Sequence, residues 1–245
     1  MRWTVAAMAA GLSILPGGAD AQWFVAGFAG ANTTERAAIV IDQPLRETHL
    51  EFSDVPFESL SFRSPQYYGW RVGRFFGRER RWGVELEFTH PKVYALTSAV
   101  VPTRGRFRGA PVDGRAALST YVERYSMSHG LNFVLVNVLA LWPIGDPSGG
   151  SPPPVHLVAR AGAGPVVPHS ETVIGGERRF LYEVAGVGVQ AAIGASIRLR
   201  GRLSATVDYK LGWARPEITI VDGTGRTTAV VHQVAVGVAI GISRW

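Results

Sequence analysis

Between Trp82 and Thr89 the chain alternates without a fault. Trp82, Val84, Leu86 and Phe88 point one way, and Gly83, Glu85, Glu87 and Thr89 point the other. A period of two marks a strand with one apolar and one polar face. Two carboxylates on the polar face are unusual for a strand packed in a soluble core. The stretch ends in Thr89-His90-Pro91-Lys92, where Pro91 has no N–H to give to a ladder.

The same period recurs along the chain. It predicts strands over 22–31, 66–76, 81–91, 128–142, 155–167, 181–199, 202–213 and 230–245. In the second, Tyr68, Trp70, Val72 and Phe76 oppose Gly69, Arg71 and Gly73; in the seventh, Leu203, Ala205, Val207, Tyr209 and Leu211 oppose Ser204, Thr206, Asp208, Lys210 and Gly212. Short turns alternate with long polar connections at 32–65, 92–127, 168–180 and 214–229, which read as loops, the first with room for one short strand. Eight strands sharing one apolar face, joined alternately by short and long links, predict an all-β fold: an eight-stranded antiparallel transmembrane β-barrel with long extracellular loops. Such a barrel is too narrow for an open pore. Its inward set (Arg71, Glu85, Glu87, Arg160, Gln190, Ser196, Arg198, Asp208 and Lys210) reads as a charge network filling the lumen, because buried charges must pair. A secreted β-sandwich or lipocalin is the soluble rival, and it leaves the many inward glycines unexplained.

The first residues agree with export. Arg2, an apolar run over 3–15, the breaker Pro16-Gly17-Gly18 and the small-x-small site Ala19-Asp20-Ala21 predict a signal peptide over 1–21. The barrel domain is then 22–245, in the outer membrane of a Gram-negative bacterium. With 0 Cys, the chain has no disulfide, thiolate metal site or cysteine nucleophile. The net charge of +6 suggests an anionic partner, for which lipopolysaccharide phosphate is a candidate. No RNA-binding motif or basic zipper is present, and export argues against a nucleic-acid partner.

Topology sorts the histidines. With short turns in the periplasm, His49, His90, His129, His169 and His232 lie at or above the outer rim, and His156 lies at the periplasmic end. Lys92, Glu171, Asp208 and Lys210 also fall toward the outer end. His90 and Lys92, and likewise His169 and Glu171, are spaced i,i+2, so each pair shares a face in extended chain. Imidazole with carboxylate suits a first-row divalent metal. Strict alternation puts His90 on the lipid side unless a bulge near Pro91 turns it inward. His49 and His232 read as solvated loop residues. No Gly-x-Ser-x-Gly elbow and no phosphate-cradling loop is present.

Six blocks carry a family resemblance: SPQYYGWRV, WGVELEFTHPKVYA, SHGLNFVLVNVLALWP, GAGPVVPHSE, YEVAGVGVQAAIGAS and VDYKLGW. In this order and spacing they resemble the outer-membrane lipid A oxidase family. The resemblance implies oxidation of the proximal glucosamine of lipid A to an aminogluconate unit, with molecular oxygen as co-substrate and a divalent metal cation. On that reading His90, Lys92, His129, His169 and Glu171 are the catalytic candidates, and His129, His169 and Glu171 the metal ligands. Lys92 and Lys210 would meet lipid phosphate or charge on the oxidised sugar, and Tyr68, Tyr94 and Asn132 would contact substrate. Two other classes compete with it: a structural or adhesive barrel without chemistry, and a lipid A acyl hydrolase or transferase.

Overall fold

A computed structural model describes residues 22–77, 79–145 and 155–242. The predicted signal peptide, 1–21, lies outside the described residues.

In chain order the strands begin with β1 (Gln22–Thr34), β2 (Ala37–Gln43), β3 (Thr48–Val55), β4 (Phe57–Glu58), β5 (Tyr68–Phe76) and β6 (Trp82–Thr89). They continue with β7 (Val93–Ala95), β8 (Val100–Phe107), β9 (Ala110–Ala117), β10 (Val122–Met127), β11 (Phe133–Ile144) and β12 (Val155–Pro165). The last are β13 (His169–Ile174), β14 (Glu177–Tyr182), β15 (Val187–Arg200), β16 (Leu203–Ala214), β17 (Glu217–Ile220), β18 (Gly223–Thr227) and β19 (Ala229–Gly241).

Eight of these close into a barrel in the order β1-β19-β16-β15-β12-β11-β6-β5, with every pair antiparallel. Its amphipathicity is inverted relative to a soluble protein. Val136 (60% exposed) and Val236 (59%) point outward, while Arg71, Glu87 and Lys210 inside are at 1%, 0% and 0%. Apolar side chains accumulate on an outer surface only where the solvent is lipid, and a closed barrel leaves no unpaired edge there. Two aromatic girdles mark the interfaces. Trp23, Phe76, Trp82 and Trp142 ring the lower end, and Tyr68, Trp70, Tyr209 and Trp213 the upper. The protein is an outer-membrane β-barrel.

The lumen holds the predicted charge network. Arg71 binds Glu87 and Asp208, both at 2.8 Å; Arg160 binds Asp208 at 2.6 Å and Glu85 at 3.1 Å; Lys210 Nζ binds Glu87 at 2.7 Å. Three cations thus meet three carboxylates. Asn137 and Gln190 donate to Glu85 and Glu87, and Lys210 lies 3.8 Å from the centroid of the Phe28 ring. Gly188 makes room for the Phe133 ring, which a Cβ there would meet at 2.6 Å.

The long connections differ from their sequence expectation. They carry 11 strands in two sheets above the rim, ordered β14-β13-β10-β7-β4 and β17-β18-β2-β3-β8-β9. Between them Ile39, Leu50, Phe52, Tyr125, Met127 and Ile220 form a core that runs down through Leu131 and Phe133 into the barrel mouth. The reason lies in pairing across connections. β2 pairs with β18 and β10 with β13, so the strands are satisfied by partners far away in the chain. Two boundaries move with this. The fourth barrel strand begins at Phe133 rather than residue 128, and the sixth at Val187 rather than 181, because Leu181 and Tyr182 pair in β14.

Candidate active site

Register brings the predicted residues onto one surface. In β13, His169 and Glu171 share a face, with Ser170 and Thr172 opposite. Glu171 pairs with Ser126 of β10, and Ser126 with Tyr94 of β7; across the other edge, Glu171 pairs with Phe180 and His169 with Tyr182 of β14. Directly paired residues of a sheet point the same way. The opposite face carries Val93, Met127 and Ile174, which belong to the core. His169, Glu171, Tyr94, Phe180 and Tyr182 therefore face away from the core, above the lipid-facing barrel wall.

His90 and Lys92 arrive beside this face from the end of β6. The His90 ring stacks on outward-facing Tyr68, 4.9 Å between centroids, so the alternation that predicts a lipid-side position is kept. The ring is nevertheless only 4% exposed, because the turn 128–132 covers it. Gly130 adopts φ +87, and a Cβ there would meet His90 Nδ1 at 2.5 Å, so this close approach requires glycine. Asn132 Nδ2 donates to the carbonyls of His129 (3.2 Å) and Val167 (2.9 Å), which turns Oδ1 toward His90 Nδ1 at 2.7 Å. Nδ1 then carries the proton, and Nε2 keeps its lone pair. That Nε2 is buried with no hydrogen-bond partner. Burial, and then the charges of Lys92 and His129, hold His90 below the ordinary histidine range against the opposing bond from Asn132.

His169 is similarly enclosed. Its ring lies 4.5 Å from His129, 4.1 Å from Phe180 and 4.0 Å from Tyr182, and its Nδ1 is buried without a partner. Burial and then His129 depress its pKa, while Glu171 acts the other way. His129 is exposed, and its Nδ1 lies 3.3 Å from Ser128 Oγ. Lys92 donates to the Arg63 carbonyl at 2.8 Å; burial and then Arg63 lower its pKa.

Three predicted roles need correction. Lys210 does not reach the rim: it is buried in the lumen, where it neutralises Glu87, and it cannot meet a lipid headgroup. Asn132 is 6% exposed and spends its amide on His90, His129 and Val167, so it positions the turn and the His90 tautomer instead of touching substrate. The ligand set His129, His169 and Glu171 is not assembled. Arg124 holds Glu171 Oε2 at 3.0 Å and Arg178 holds Oε1 at 2.7 Å, and among the described residues no three His, Asp or Glu side chains converge to hold a metal ion. These residues, so arranged, do not fit a three-ligand metal centre.

Of the other contact candidates, Tyr68 is outward and 45% exposed, and Tyr94 donates to the Ser128 carbonyl at 3.2 Å. Arg124, Arg178, Phe180 and Tyr182 are additions that the sequence reading missed. Their signal is the β10–β13–β14 register, which no local pattern contains. His49 sits beside Asp42, and His232 is bound by Tyr209 and Glu35, away from this surface.

No protein-family model matches the chain, and no curated protein matches it. Among solved structures, the outer-membrane protease OmpT from Escherichia coli is similar at a TM-score of 0.45 and 6% identity, covering 90% of this chain and 97% of that one. OprG from Pseudomonas aeruginosa is similar at 0.40 and 9% identity, covering 91% and 94%. Neisserial surface protein A is similar at 0.39 and 10% identity, covering 89% and 96%.

Proposed function

We propose that this outer-membrane barrel is an enzyme acting on the lipid A headgroup, oxidising its proximal glucosamine to an aminogluconate unit with molecular oxygen as electron acceptor. One observation carries the reading. His90, Lys92 and His129 come from one outer connection and His169 and Glu171 from another, yet they gather on and beside one outward face at the upper girdle. That is the level at which lipid A headgroups lie.

The chemistry follows from the side chains. Oxidising the anomeric carbon from hemiacetal to lactone removes two electrons and two protons, which pass to molecular oxygen and leave as hydrogen peroxide; water then opens the lactone to the acid, so the sugar gains one oxygen. The anomeric hydroxyl proton needs an acceptor. Neutral imidazoles serve near pH 7, and burial keeps His90 and His169 neutral. Arg124 and Arg178 are half outside, with exposed guanidinium groups beside Glu171, and they offer bidentate contacts to phosphate. Tyr68, Phe180 and Tyr182 supply exposed rings for sugar and acyl contacts.

One contact favours a second reading. Ser128 Oγ lies 3.3 Å from His129 Nδ1, a nucleophile–base pair of the kind an acyl hydrolase uses. Mass spectrometry of lipid A from a host expressing the chain separates the two. A species with one more oxygen and all acyl chains supports oxidation, and loss of an acyl chain supports hydrolysis. An unchanged spectrum leaves the structural barrel.

A further inference from the structure

Beneath the charge network of the lumen lies a chamber of about 400 Å³, roofed by Arg71 and Arg160. An eight-stranded barrel is wide enough either to be filled by side chains or to hold one small ligand, and this volume falls within the range of ligand sites. Each charged side chain on the wall has a partner within the protein. The roof cations are neutralised by Glu85, Glu87 and Asp208. Lower down, Arg80 binds Gln22 at 3.2 Å, Arg198 is also partnered, Arg202 donates to the Ile242 carbonyl at 3.3 Å, and Glu79 is held by Arg81 at 2.9 Å. The chamber therefore does not select its occupant by charge.

Two opposed walls do the selecting. His156 of β12, Ser196 of β15 and Thr206 of β16 are directly paired across adjacent strands, so they form one inward row on the chamber wall. Adjacent strands lie about 4.8 Å apart, and the row offers a hydrogen-bonding group at about that interval. Among the described residues none of these three side chains makes a hydrogen bond. The facing wall is apolar. In the closed ring β1 stands diametrically across from β12, and β5 across from β15. From β1 and β5, Phe24 and Phe75 line the chamber and stack at 5.2 Å, and Leu141 and Val158 continue the apolar surface.

The geometry points to a chamber that binds one uncharged single-chain amphiphile with a polyhydroxyl head, of the glycerol monoester class. Its hydroxyl groups meet the Ser196 and Thr206 hydroxyls and the His156 ring, and its alkyl chain lies along Phe24, Phe75, Leu141 and Val158. Water alone would satisfy the row but leave the phenyl wall wet. A hydrocarbon would cover that wall but leave the row desolvated and unpaired. An anion would give up its hydration where every guanidinium is already engaged. This site is independent of the outer-rim chemistry and lies at the opposite end of the barrel.

Solution NMR of the full chain in lipid nanodiscs, with labelled Phe rings and labelled Val and Thr methyl groups, tests it with monooctanoylglycerol. The expected result is a saturable shift at Phe24, Phe75, Val158 and Thr206, with ligand-to-ring NOEs at the two phenyl groups. Octanoate, octane and glycerol should each bind about tenfold less well or worse. Ser196→Ala with Thr206→Val removes two hydrogen-bonding groups and should weaken binding about tenfold. Ala239→Phe, which fills the chamber without changing charge, should abolish it. Heat-modifiable gel migration reports that each variant is folded, and either variant alone suffices as the test. Absence of a saturable shift, equal binding of any of the three controls, or binding unchanged in a folded variant overturns the proposal.

Discussion

His129 and His169 stand edge to face with ring centroids 4.5 Å apart, although they come from different connections of the barrel. The contact exists because Met127 of β10 pairs with Ser170 of β13, which sets the turn after β10 beside the start of β13. Folding of the outer sheet and assembly of the histidine surface are therefore one event. Substituting either histidine by Ala should lower turnover about 10²-fold or more. Neither side chain takes part in the ladder, so heat-modifiable migration should be retained. Rates equal to the parent in both variants would reduce the cluster to solvated surface.

The pH dependence has a definite sign. His90 and His169 are held below the ordinary histidine value of about 6.5, so both are neutral above it. Activity should be level from about pH 6.5 upward and fall only below that, as the depressed folded values are crossed. Stability of the outer sheet follows the same direction, because below about 6.5 the unfolded chain takes up protons that these folded sites refuse. A rate profile with its acidic limb centred above 6.5 would contradict the burial argument.

Arg124 and Arg178 hold opposite oxygens of Glu171. If they also receive substrate phosphate, replacing both by Gln should raise KM about tenfold or more with a smaller change in kcat. Steady-state rates against lipid A concentration separate this from a structural effect, which would lower the folded fraction and leave KM alone.

Lys210 and Glu87 test the lumen. Removing one partner of a buried pair leaves the other uncompensated, at about 3–5 kcal/mol. Lys210→Met should destabilise the barrel by about that amount in denaturant unfolding, with no change in KM for the folded fraction. A raised KM at unchanged stability would return Lys210 to the rim.

Protease on intact cells should cut sparingly. The outer connections are paired strands over an apolar core, so cleavage should concentrate at exposed turns such as Phe62–Arg63 and Arg108–Gly109. Cleavage seen only after the outer membrane is opened would invert the barrel.

The barrel was legible because its strands alternate apolar and polar residues over eight or more positions, and lipid outside makes that alternation strict. The outer sheets were not. β3, Thr48–Val55, alternates too, but it is short and polar-flanked, and besides its hairpin partner β2 it pairs with β8 of another connection, which local period does not reveal. The site was half legible. Spacing put His169 with Glu171 on one face, and the rim position of the histidines follows from strand direction. The arginines that occupy Glu171 come from β10 and from β14 across the sheet, so the loss of the metal ligand set could be seen only in three dimensions. Lys210 was misplaced because alternation gives the inward face of a residue but not its partner, and Glu87 holds it inside the closed lumen.

The most direct measurement is mass spectrometry of lipid A from cells of a lipopolysaccharide-bearing host expressing the chain, grown with and without oxygen. The account predicts a species with one more oxygen and every acyl chain retained, formed only with oxygen and lost in a folded His169→Ala variant. An unchanged spectrum in a host with suitable lipid A, or a changed number of acyl chains, would contradict it.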